Sequence, residues 1–376
     1  MSRKTFALSS TISLVAGMGL AETPQVAVDI APVHSLVARV MEGVGTPDLI
    51  IAPGASPHEY NLRPSEAAAL QNSDLVFWLS HSLTPWLEKA IETLAEDAIV
   101  TELFEIEGTL KLPFRQGALF EEHADHDEHA GHDDHDGHDD HDAHDDHDGH
   151  DDHDGHDDHD GHDDHDGHDD HDGHDDHDGH DNHDTHDDHD GHDNHDTHDD
   201  HHGHNHDGDD PHAWLSPDNA AIWLNAIAEA LSAADPENAG QYKLNAAAGQ
   251  KELLDLTTEI DGILAPLQGR NFIVFHDAYQ YFEEAFNFYA AGAISLSDAR
   301  DPSPARIAEI QNRIKEQSIS CVLSEPQYSP NIVAAVTNGS EVKMGILDPL
   351  GVGLDEGKTL YFQTLRNLAK ALSDCL

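Results

Sequence analysis

The sequence predicts an α/β protein of two (β/α)4-type lobes joined by one long rigid helix, with a cleft between them. A disordered His/Asp-rich loop is expected inside the N-terminal lobe. Three observations carry this expectation. Short apolar runs alternate with amphipathic helical stretches in two separate groups, and unbroken apolar runs suit parallel strands covered on both faces. Between the groups, a helical pattern opens at Pro236 and continues to about Leu264 without a clear stop, longer than the usual globular helix. From Glu121 to Asp210 the chain changes character altogether.

Residues 1–21 read as a secretory signal. Arg3 and Lys4 precede a mostly apolar, small-residue run from Phe6 to Leu20, and Gly19-Leu20-Ala21 offers small residues at a cleavage site. The run is interrupted by Ser9, Ser10, Thr11 and Ser13 and is short for a membrane span. Cleavage near Ala21 and a mature chain outside the cytoplasm follow. An exported chain with two cysteines, Cys321 and Cys375, is expected to pair them, closing a loop worth about 4 kcal/mol on the chain-entropy model. Two metal thiolates are the alternative, although no CxxC spacing favours them.

The mature chain divides into an N-terminal lobe over 22–235, a connecting helix over 236–265 and a C-terminal lobe over 266–376. In the first lobe, Gln25–Ile30 is a strand and Pro32–Val44 a helix with Val33, Leu36, Val37, Val40 and Val44 on its apolar face. Asp48–Ala52 is a strand, Pro64–Asn72 a helix opening on proline, Asp74–Leu79 a strand, Pro85–Asp97 a helix and Ile99–Leu103 a strand. After the tract, a helix runs from about Asp218 to Ala233. In the second lobe, strands at Phe272–Phe275, Tyr289–Ile294, Ile319–Leu323 and Val342–Leu347 alternate with helices at Tyr279–Phe286, Pro304–Gln317, Asn331–Asn338 and Thr359–Cys375. Ser303-Pro304 is a helix cap followed by proline at the first position.

The tract over 121–210 holds 30 of the 35 histidines and 41 of the 76 acidic residues, with no Lys or Arg. It therefore carries −41 of the formal −58. Histidine recurs at every third position from His123 through His126, His129, His132 and His135 to His201, and His204 and His206 follow. With almost nothing apolar to bury, the segment cannot offset the entropy of ordering. Imidazole and carboxylate groups at this density point to an auxiliary, multi-site metal-collecting loop. A plain charged spacer would not need histidine.

The five remaining histidines are more informative. His58 follows the strand Asp48–Ala52, His276 ends the strand Phe272–Phe275, and His212 sits in a Pro-flanked turn between the tract and a helix. Ligands of open α/β sheets bind beyond the carboxyl ends of strands. Three imidazoles with a carboxylate or water make a zinc set. Asp348, after the strand Val342–Leu347, is a fourth candidate, and Glu59 a possible substitute. His34 and His81 read as supporting or structural.

These residues fall in motifs, Ser56-Pro57-His58-Glu59-Tyr60, Asp210-Pro211-His212-Ala213-Trp214, Phe275-His276-Asp277-Ala278-Tyr279, Ser324-Glu325-Pro326-Gln327 and Leu347-Asp348-Pro349-Leu350-Gly351, that together and in order resemble the periplasmic zinc-binding proteins of ABC importers. The resemblance covers nearly the whole mature chain. It implies two α/β lobes bridged by a long helix, metal in the cleft, and ligand roles for His58, His212 and His276. Asp348 matches a carboxylate position of related members; some zinc members use water or a neighbouring glutamate. Manganese-binding relatives place glutamate where His276 stands, so the resemblance favours zinc over a manganese or adhesin-type relative. A His/Asp-rich loop and a cysteine pair placed like Cys321 and Cys375 also fit it. The implied function is capture of Zn2+ and delivery to a membrane permease and its ATPase, by a protein that is not an enzyme and acts as a monomer. The alternatives are storage or chaperoning of zinc by the tract, a manganese-binding relative, and a zinc hydrolase. No HExxH supports the hydrolase. The acidity excludes nucleic acid as a natural partner, because phosphate would be repelled.

Overall fold

The computed structural model describes residues 23–115, 120, 208–295 and 302–376. The signal segment and the tract histidines from His123 to His206 lie outside the described residues.

Two four-stranded sheets form, and every strand pair in both is parallel. The first contains β1 (Val26–Val28), β2 (Asp48–Leu49), β3 (Leu75–Trp78) and β4 (Ile99–Glu102) in the order β2-β1-β3-β4. Its helices are α1 (Ala31–Val40), α2 (Pro64–Gln71) and α3 (Pro85–Leu94). After the insertion come α4 (Pro217–Ala234) and α5 (Ala239–Leu264). The second sheet contains β5 (Phe272–His276), β6 (Ala293–Ser295), β7 (Cys321–Ser324) and β8 (Lys343–Ile346) in the order β6-β5-β7-β8. Helices α6 (Gln280–Phe286), α7 (Pro304–Glu316), α8 (Pro330–Thr337) and α9 (Leu360–Cys375) accompany it.

Side chains of the central strands alternate between two apolar layers, as a period of two dictates. Val26 and Val28 of β1, Leu75 and Phe77 of β3, and Phe272 and Val274 of β5 enter one continuous core. Ala27, Val76 and Trp78 face a separate outer layer of the first lobe; Ile273 and Phe275 do the same in the second. That two-sided burial explains the unbroken apolar runs in the sequence. The continuous core also takes in Tyr242, Ala246, Leu253, Leu256, Ile260 and Leu264 of α5, which recur at helical spacing along its 26 residues. Helix α5 packs against α4, α1 and α9. Its approach to α4 is close enough that a Cβ at Gly249 would stand 2.9 Å from the Leu224 side chain. Arg39 of α1 donates to Glu252 of α5 at 2.9 and 3.1 Å. Cys321 and Cys375 form a disulfide between β7 and α9, so the thiolate alternative is removed.

The helix expected over Pro32–Val44 ends at Val40, because the chain turns through Met41–Val44 with Gly43 at φ +81°. The strand expected over Tyr289–Ile294 forms later, at Ala293–Ser295. Asn287 closes α6 in the left-handed region, and the following residues are spent in a turn that leaves Tyr289 half exposed. Among the described residues, no helix is long and apolar enough to cross a membrane.

In both sheets the chain order reverses at the first strand, β1 or β5, and such switch points open a crevice beyond the strand ends. In the second lobe His276 ends β5 there. In the first lobe Asp29 follows β1, and its carboxylate accepts the N–H groups of Ile30 and Leu79, both at 2.7 Å. Burial pushes its pKa up to about 7, against the opposing pull of those amides. The unfolded chain releases this proton near 3.8, so between about pH 4 and pH 7 the folded state binds more protons, and this group's contribution to stability falls as pH rises. Asp29→Asn should remove that slope: urea midpoints measured from pH 4 to pH 8 are expected to vary less in the variant than in the wild type.

Candidate metal centre

His58 lies in the loop between β2 and α2. The loop is held by the indole N–H of Trp86, which donates to the Pro57 carbonyl at 2.8 Å. Tyr60 donates to Glu66 at 2.8 Å. His212 opens a short 3-10 turn over Ala213–Leu215. Asp210 Oδ1 accepts the backbone N–H of His212 at 2.9 Å and contacts its ring Nδ1 at 2.7 Å. Trp214 then donates to the Pro349 carbonyl at 2.9 Å, which ties this turn to the second lobe. His276 Nδ1 contacts Glu325 Oε1 at 2.6 Å. Glu325 follows β7, the neighbour of β5 in the sheet, and both partners are buried.

The two carboxylates assign the tautomers. A carboxylate facing Nδ1 holds the ring proton there and leaves the Nε2 lone pair outward. The Nε2 atoms of His212 and His276 stand 3.4 Å apart. Two nitrogens on one tetrahedral zinc, each at roughly 2.0–2.1 Å, would be separated by about 3.3–3.4 Å. The ring of His58 is 5.5 Å from that of His212, close to the 5.2 Å between His212 and His276. All three line a cavity of about 20 Å3 with Glu325, Gln327 and Tyr328, room for a single water-sized particle. Among the described residues, no group of three or more His, Cys, Asp and Glu side chains is already drawn in tightly enough to hold a metal ion. The pair His212–His276 has coordination spacing, and the third ring borders the same cavity.

The other expected residues fall elsewhere. Asp348 does not line the cavity; its carboxylate accepts the N–H groups of Leu350, Gly351 and Val352. Burial raises its pKa while these bonds oppose the shift. Glu59 is exposed and outside the lining. His34 contacts the Pro47 carbonyl at 3.0 Å, and burial lowers its pKa. His81 pairs with Glu88 at 2.9 Å on the surface. Asp210 and Glu325 were present in the sequence motifs, but their task was not assigned. The Asp210 partnership is local, two residues before His212; that of Glu325 spans 49 residues and needs the β5–β7 pairing to become visible.

Two parallel α/β lobes with His58, His212 and His276 around one cavity define a two-lobed α/β protein with a histidine-lined site. The comparisons agree. The family model for zinc-uptake complex component A, periplasmic, matches residues 26–375. The high-affinity zinc uptake system protein ZnuA of Brucella abortus (strain 2308) is 42% identical over 372 residues, covering 99% of this chain and 97% of that one. The protein of the same description from Paracoccus denitrificans is 40% identical, with 98% of each chain covered. Among solved structures, a crystal structure of ZnuA superposes with a TM-score of 0.63 at 18% identity, covering 94% of this chain and 99% of that one. The periplasmic zinc-binding protein TroA from Treponema pallidum gives 0.64 at 16% identity, covering 94% and 99%. The chain belongs to the family of periplasmic zinc-uptake components.

If Glu325 fixes the His276 tautomer, Glu325→Gln should weaken binding of the first zinc equivalent by roughly 10- to 100-fold. Chelator competition of the two proteins at pH 7.5 measures it.

Proposed function

We propose that the chain captures Zn2+ in the periplasm through His58, His212 and His276 and hands it to the permease and ATPase subunits of an ABC importer. The reading rests on one observation, the 3.4 Å approach of the His212 and His276 Nε2 atoms with a carboxylate behind each ring. The spacing suits two nitrogens on one tetrahedral zinc. His58 closes on the ion from the first lobe. Water takes the fourth position, because Asp348 is engaged by three backbone amides and Glu59 points to solvent.

Kinship supports zinc as the cargo: relatives at 40–42% identity are high-affinity zinc uptake proteins. Neutral imidazoles favour zinc over manganese, which prefers oxygen, while copper should compete in vitro. Protons compete for the same nitrogens, so affinity falls as pH drops through the histidine range. The tract from Glu121 to Asp210 serves as an auxiliary collector that raises the local supply of metal. Loading by a small lobe adjustment, action as a monomer and transport without catalysis complete the reading.

A chain lacking Ala124 to His206, titrated with zinc against a strong chelator, should show one tight site. His276→Ala in the same background should weaken it at least about 100-fold, beyond the loss expected for a supporting residue. Absence of a tight site in the shortened chain would locate binding in the tract and overturn the proposal.

A further inference from the structure

The backbone segments on either side of the insertion are stitched together, and the side chains of Tyr281 and Arg115 connect them to the second lobe. Entering the insertion, the Phe114 N–H donates to the Gly208 carbonyl at 3.2 Å, and the Asp210 N–H donates to the Leu112 carbonyl at 2.7 Å. Pro113 stands opposite Asp209 in an antiparallel bridge. Tyr281 of α6 locks the pair: its hydroxyl accepts the Leu112 N–H at 3.0 Å and donates to the Asp210 carbonyl at 2.7 Å. Asp210 is the residue whose carboxylate holds His212.

Arg115 extends from this stem into the second lobe. Its guanidinium donates to both carboxylate oxygens of Asp277, including two bonds of 3.0 Å, and to Glu283 Oε2 at 2.6 Å. The Phe120 ring lies 3.5 Å from it on centroid measure. Asp277 directly follows His276 in the chain, and Glu283 belongs to α6. Asp277 and Glu283 are both buried. A bidentate, buried guanidinium–carboxylate contact fixes geometry as well as charge.

These contacts close a ring. From His212 the path runs to Asp210, across the stem pairing to Leu112–Phe114, along the chain to Arg115, through the ion pair to Asp277, and back to His276. The remaining gap in the ring is the 3.4 Å between the two Nε2 atoms. We infer that Arg115 is a positioning residue for metal capture: through Asp277 and the insertion stem it sets the distance between the His212 and His276 nitrogens. This rests on the proposed binding role of those histidines. Arg115 touches no metal and acts only through its neighbours.

The full-length chain tests this, with zinc titrated against a chelator strong enough to read only the tightest equivalent. Arg115→Met alone would strand two buried carboxylates and risk unfolding. The informative variant is therefore the triple Arg115→Met, Asp277→Asn, Glu283→Gln, which removes the ion cluster together, beside the conservative Arg115→Lys. The triple variant should bind zinc roughly 10- to 100-fold more weakly. Arg115→Lys, which keeps charge but loses the planar fork, should fall between it and the wild type. The rise in melting temperature caused by one zinc equivalent should shrink in the same order, whatever the metal-free melting temperature. Wild-type affinity and wild-type zinc stabilisation in Arg115→Lys and in a folded triple variant would overturn the inference. Should the triple variant not fold, wild-type values in Arg115→Lys alone would do so. A wild-type chain indistinguishable from His276→Ala would instead defeat the binding reading beneath it.

Discussion

The approach of two imidazole nitrogens across the cleft is the constraint on which the rest of the molecule depends. Two imidazole nitrogens from distant parts of the chain, those of His212 and His276, meet here at 3.4 Å. Asp210 and Glu325 make the arrangement possible by holding the ring protons on the far nitrogens. On the proposed reading a cation lies between the two nitrogens, and its charge, size and preferred angle decide which cation fits best.

The fold meets this demand asymmetrically. Each lobe ends its switch-point strand in a titratable residue, but only His276 is left facing the cavity. Asp29 is turned inward to two amides and staples β1 to the loop after β3. The first lobe therefore contributes His58 from a longer loop anchored by Trp86, while the second contributes a histidine from the strand itself. His212 bridges the two: it belongs to the segment leaving the insertion, and Trp214 beside it binds the Pro349 carbonyl of the second lobe. One apolar core running through both lobes and α5 gives these three origins a common frame. Loading by small adjustments rather than wide hinge closure is consistent with that continuity.

Much of this was legible in the sequence. Unbroken apolar runs announced parallel strands, and His58, His212 and His276 were placed at strand ends or a rigid turn; the structure gathers them around one cavity. The cysteine pairing followed from compartment and count. Strand β6 was read too early, because Tyr289 and its neighbours satisfy an apolar pattern but a left-handed Asn287 diverts the backbone first. Asp348 follows a strand in the sequence, and only the structure shows that its carboxylate accepts three backbone N–H groups of the turn it caps. Glu325 and Arg115 were hidden for a different reason. Their partners are 49 and 162 residues away, and no local periodicity encodes such a distance.

X-ray absorption on one zinc equivalent bound to the chain lacking Ala124 to His206 is the most direct test of the central claim. The account predicts a four-coordinate ion with imidazole scattering from three nitrogens and one oxygen at about 2.0–2.1 Å. A six-coordinate, oxygen-dominated shell, or a shell with fewer than two imidazoles, would contradict it, because His212 and His276 would then not share the ion.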